Sequence, residues 1–148
     1  MKRNQISALL CGLSLLFSSQ LLLADHADTQ TSEQGIAYMT GGIGADEKEL
    51  LQSHSNAFSL RLLFAEGPCG RAATGVNVNI YDKRKALVFQ LDNAEPTLLV
   101  NLPAGQYKVT ADYQGVSQGH TFTLKANDHK KLVLNWQGCS DEDALSSD

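Results

Sequence analysis

From Phe58 onward the apolar residues alternate with polar ones, and no other feature limits the fold so strongly. Phe58, Leu60, Leu62 and Phe64 share one phase, and Ser59, Arg61, Leu63 and Ala65 take the other. A period of two sends successive side chains to opposite faces of a strand, so one face can be buried while the other stays wet. Six further segments repeat the pattern. They are Val76–Tyr81, Leu87–Leu91, Leu98–Leu102, Tyr107–Tyr113, Val116–Leu124 and Leu132–Trp136, separated by Gly, Pro, Asn and Asp. Seven such segments at short spacing predict an all-β, antiparallel sandwich over residues 41–137.

Upstream the period differs. Asp46 followed by Glu49 reads as a capping box, and Leu50 and Leu51 begin an apolar face. A short helix over 46–54 is therefore predicted, with its acids at the positive end of the helix dipole. Residues 25–37 are polar and without period, and a flexible N-terminal segment is expected over 25–40, with Tyr38 in the leader that follows the polar start. Residues 138–148 are acidic and Ser-rich, and a disordered tail is expected there.

The first residues carry an address. Lys2 and Arg3 precede an apolar run from Ile6 to Phe17, and polarity rises sharply after Ala24. A basic start, an apolar stretch and a small residue before a polar segment form an export signal. Spanning a membrane needs about 20 apolar residues, and Ser18-Ser19-Gln20 interrupts the run. Cleavage after Ala24 is thus expected, with no stable membrane insertion afterwards and a periplasmic or secreted location. Cleavage removes Lys2 and Arg3 and leaves 10 Lys and Arg against 16 acids, a net charge of −6. Such a balance disfavours nucleic acid and anionic membranes as partners. It also removes Cys11, and the remaining Cys69 and Cys139 are expected to pair in an oxidising compartment.

Leu102-Pro103-Ala104-Gly105-Gln106-Tyr107-Lys108-Val109-Thr110-Ala111 resembles the LPxGxYxVxA segment of carboxypeptidase regulatory-like domains, which are transthyretin-like β-sandwiches. Pro and Gly form the turn, and Tyr, Val and Ala then alternate into the core. Gly75–Asp82 is similar to the second strand of that family, and Gly41–Glu47 to the leader of its small exported proteobacterial members. Where the family usually has Gly in the following turn, this chain has Lys83-Arg84-Lys85. The resemblance implies a transthyretin-like topology, in which the first and last strands run parallel. Their trailing loops would then bring Cys69 and Cys139 to one end. It implies little about function, because such sandwiches host unrelated roles.

No catalytic set emerges. The HxxE zinc motif is absent, and so is the C-terminal YRGS of the transthyretin-like purine hydrolase. His26, His54, His120 and His129 lack ligand spacing to one another or to a Cys, so neither metal nor cofactor is expected. His26 beside the mature amine offers only weak copper capture, and His120 falls on the apolar face of its strand. Gly41-Gly42-Ile43-Gly44 reads as a turn into the helix, since Asp46 and Glu47 would repel a phosphate. Ser53, Ser55 and Ser117 show no acid–His pattern. Tyr81, out of phase with its strand, and Tyr38 are the candidate binding-surface aromatics. The expected function is a non-catalytic, exported binding module with a protein or carbohydrate partner. The alternative is a small periplasmic hydrolase or metal-handling protein using its histidines.

Overall fold

In the computed structural model, which describes residues 28–136, two sheets enclose a common core. The strands are β1 (Gln30–Thr31), β2 (Ala37–Gly41), β3 (Leu60–Glu66), β4 (Arg71–Ala72) and β5 (Val76–Asp82), then β6 (Leu87–Ala94), β7 (Thr97–Val100), β8 (Gly105–Tyr113), β9 (Val116–Leu124) and β10 (Lys130–Trp136). One helix, α1 (Ala45–His54), and a 3-10 turn over Ser55–Ala57 join β2 to β3. The first sheet has the order β1-β2-β7-β3-β10, with β4 paired to the end of β3. The second has the order β6-β5-β8-β9.

Each of the seven alternating segments falls on a strand, β3 and β5 through β10. Their inward phase forms the core. Leu60, Leu62 and Phe64 of β3 face Val78 and Ile80 of β5, Phe89 of β6 and Val109 of β8, all essentially without solvent contact. Burying one such side chain contributes about 1.5–3 kcal/mol.

Four expectations are corrected. The described residues hold ten strands, not seven, because β1, β2 and β4 add to the count. The sandwich is not wholly antiparallel: β10 runs parallel to β3, with Lys130 opposite Leu60 and Trp136 opposite Glu66. That pairing has the parallel first-and-last geometry that the resemblance implied for the alternating strands. The segment expected to be flexible carries β1 and β2, and the core therefore starts before residue 41. Tyr38 is not on a binding surface either. Its ring is buried at 8% exposure and meets Phe89 edge-on at 5.4 Å, and its hydroxyl donates to Gln30 Oε1 at 2.8 Å.

Helix α1 forms close to its expected place, but by a different cap. Its N-cap is Gly44, which offers no side chain. Glu47, in the first turn, reaches back instead, and its Oε2 accepts from the Gly42 and Ile43 N–H groups at 3.1 and 3.3 Å. These are backbone donors just outside the helix, so Glu47 performs the reciprocal half of a capping box without a Ser or Asp at the cap. Gly41 and Gly42 permit the tight entry. A Cβ on Gly42 would lie 2.9 Å from Thr97 Oγ1, and the residue sits at φ +102°. The helix then lies over the outer face of the first sheet, where Leu51 and Phe58 pack on Met39 and Leu99. Residues 1–27 and 137–148 lie outside the described residues, and with them the export signal, His26, Cys139 and the acidic tail.

Candidate functional site

The two sheets differ in what covers them. On the first, α1 and Phe58 cover the part that β2 and β7 form. Among the described residues no element covers the outer face of the second, which is polar across β5, β8 and β9 and has exposed Leu87 beside Tyr81 on β6. Its register sets three rows across β5, β8 and β9. Tyr81, Lys108 and Thr121 form the first. Asn79, Thr110 and Gly119 form the second, and Asn77, Asp112 and Ser117 the third. Each belongs to the outward phase of its strand, so the alternation that buries Val78, Ile80, Val109 and Ala111 also builds this platform. Ser117 Oγ donates to Asp112 Oδ2 at 2.7 Å, which ties the last row together. At the centre Gly119 leaves a gap, where a Cβ would meet the Lys108 chain at 3.4 Å.

Tyr81 is half-buried and stands at the end of this face, beside the β5–β6 turn. Asp82 builds that turn: its Oδ1 accepts from the Arg84 and Ala86 N–H groups at 2.8 and 3.0 Å. Lys85 adopts φ +64° there, a left-handed conformation that favours glycine and costs another residue about 1 kcal/mol or more. The chain thus keeps a cation at a position where a glycine would be less strained. Lys83, Lys85 and Lys108 border an open hollow of about 370 Å³ with Gln106 and Tyr107. Tyr107 anchors its floor by donating to the Pro103 carbonyl at 2.7 Å. Burial, and then the charge of Asp82, push its phenol above the ordinary value of 10.0.

The histidines engage separate elements. His54 Nδ1 lies 2.8 Å from the Leu50 carbonyl at the end of α1. Ser53 Oγ donates to the same carbonyl and stands 3.1 Å from that ring. His129, on the β9–β10 turn, bonds the Phe58 carbonyl at 2.9 Å. His120 is exposed near Gln118, although its register partner Val109 is fully buried. The inward phase of β9 is open there because both β9 and β10 are edge strands. Among the described residues no three His, Cys, Asp or Glu side chains gather as metal ligands would. Cys69 is exposed in the turn between β3 and β4.

Sequence reasoning found Tyr81 but not the rest of this platform, since the polar phase of each strand looked merely solvated. Only the pairing of β5 with β8 and β8 with β9 joins those residues into one surface. No family model matches the chain, and no curated protein matches it.

Proposed function

We propose that this chain is an exported, non-catalytic binding module, a seven-plus-strand sandwich of the transthyretin-like, carboxypeptidase regulatory-like kind, and that a protein or carbohydrate partner docks on the outer face of its second sheet. The observation that carries the proposal is the asymmetry of the two outer faces: α1 packs on one, and among the described residues nothing covers the other, a mainly polar face flanked by Tyr81. Asn, Thr, Ser and Asp in register offer both donors and acceptors, the mixture that hydroxyl-rich or backbone-rich ligands need. A half-buried Tyr adds apolar contact area at small entropic cost. The turn of Lys83, Arg84 and Lys85 adds positive charge to one end, despite the net acidity of the chain, so acidic groups on the partner suit that end. Binding of this kind requires no cofactor.

Capture from periplasmic extract tests the proposal, with the glycan content of the captured material read alongside. Tyr81→Ala and Lys108→Ala should each reduce capture of the same species. Lys85→Gly should also weaken capture while leaving stability within about 1 kcal/mol, since relief of left-handed strain offsets the added freedom of the unfolded chain. Equal capture by wild type and all three variants rules the face out.

A further inference from the structure

A second cationic site lies on the other sheet, and it is smaller and less open than the first. The 3-10 turn, the start of β3, the β9–β10 turn and the start of β10 surround a cavity of about 140 Å³. Arg61, His129, Lys130 and Lys131 line it together with Ser55 and Asn56, and no acid does. Arg61 and Lys131 are direct partners in the parallel β3–β10 register. Like charges so placed repel and destabilise the pair.

Arg61 Nε is buried and has no hydrogen-bond partner. Buried donors are nearly always satisfied, and a charged one left bare is costly. None of the adjoining groups bonds it. Lys130 and Lys131 are donors only. His129 Nδ1 sits 2.9 Å from the Phe58 carbonyl, so that nitrogen carries the proton and Nε2 is the free one. Ser55 Oγ donates to the Gln52 carbonyl at 2.7 Å. Asp128 accepts from Lys125 N through Oδ2 at 2.8 Å and does not line the cavity. The C-terminus of α1 brings a partial charge of about −0.5, which three full positive charges outweigh.

We propose that this cavity is an oxyanion site and takes a single phosphate or carboxylate group. The size argues for one such group: pockets for drug-sized ligands hold about 300–1,000 Å³. The guanidinium fork presents paired N–H donors that match both oxyanions, and the exposed Lys131 closes the register pair over it. An anion between Arg61 and Lys131 offsets the repulsion across β3 and β10 in a cavity that no acid lines.

The test is an amide chemical-shift titration at low ionic strength, with inorganic phosphate in one arm and acetate in the other. Saturable shifts centred on residues 55–61 and 128–131 are expected in at least one arm, and the tighter arm assigns the oxyanion. Arg61→Gln should weaken that binding at least tenfold, whereas Lys83→Gln should leave it unchanged. If Arg61→Gln fails to fold, Lys131→Gln, at an exposed position, carries the same expectation. Shifts that never saturate, or that spread equally to residues 83–85, overturn the proposal, as does undiminished binding by these variants. The site lies on the opposite sheet from Tyr81, so its failure leaves the docking face untouched.

Discussion

Two carboxylates near Gly41 show how one residue sets the charge state of another. Glu47 accepts from the Gly42 and Ile43 N–H groups. Glu95 has no such donors, and desolvation followed by repulsion from Glu47 raises its pKa above 4.5. Between that ordinary value and the raised one, the folded chain holds a proton that the unfolded chain has lost. Stability therefore falls as pH rises through that window, and it stays lower above it. Glu95→Gln should flatten this slope and stabilise the protein at neutral pH by up to about 0.5 kcal/mol, the order of a surface charge contact. Glu47→Gln should instead destabilise the protein at neutral pH, because it weakens both cap bonds. Urea midpoints across the acidic range distinguish them. A second titration lies at the alkaline end. Tyr113 donates to Glu66 Oε2 at 2.7 Å. That bond, then desolvation and the charge of Glu66, raise its phenol above 10.0 against the opposing Arg71. The folded state keeps this proton longer than the unfolded state, so the stabilisation is whole below pH 10.0 and is lost as pH climbs through the raised value. Tyr113→Phe should lessen the alkaline loss, and adding Tyr107→Phe should lessen it further. Unfolding midpoints below and above that pH measure both.

Among the elements, α1 decides which outer face is available. Leu51, 1% exposed, is the knob that seats it against Met39 and Leu99. Leu51→Ala should cost about 2–5 kcal/mol by transfer and cavity effects. Ile43→Ala, at a residue 62% exposed just ahead of the helix, should cost far less; urea unfolding of the two variants reads the difference. The same contact explains which elements could be read from the chain. β3, β5 and β8 keep one wet face, so their period of two is visible. β2 is buried on both sides: Tyr38 faces the core and Met39 faces α1. With no wet phase there is no alternation, and a real strand looks like an aperiodic leader. The strands β1 and β4, at two residues each, are too short for any pattern. The helix was legible from Leu50 and Leu51, but its cap was not. Asp46–Glu49 has the spacing of a capping box, and the chain uses Glu47 because the backbone approaches through Gly42. Arg61 was hidden for a related reason. It sits on the polar phase of a clear strand, and only the parallel register brings Lys131 to it.

Across the whole molecule, charge and connectivity are sorted by end. Eight of the ten Lys and Arg among the described residues sit on or near the end where β5 meets β6, β7 meets β8 and β9 meets β10. Asp46, Glu47, Glu66, Glu95 and Asp112 lie toward the other end, where β3 and β10 finish side by side. There the Gly67 N–H donates to the Trp136 carbonyl at 2.9 Å, one residue beyond the Glu66–Trp136 pair. Cys69 follows Glu66 by three residues, and Cys139 follows Trp136 by the same number. Three residues reach at most about 10 Å, and a disulfide needs Cα atoms about 4.4–6.8 Å apart. Matched offsets from one register pair leave a bridge within the reach of the chain, and we propose that the two thiols pair. The bridge would tie the β3–β4 turn to the end of β10, an edge strand paired only with β3 in its sheet. The loop so closed is near 70 residues, for which chain entropy gives about 4 kcal/mol. The oxidised protein should thus unfold at higher urea than the reduced one, by about 2–4 kcal/mol in free energy. Cys69→Ser should match the reduced form and lose its response to reductant. Non-reducing peptide mapping settles the covalent question directly: one linked peptide containing residues 69 and 139 supports the bridge, and two free thiols in protein taken from an oxidising compartment end it.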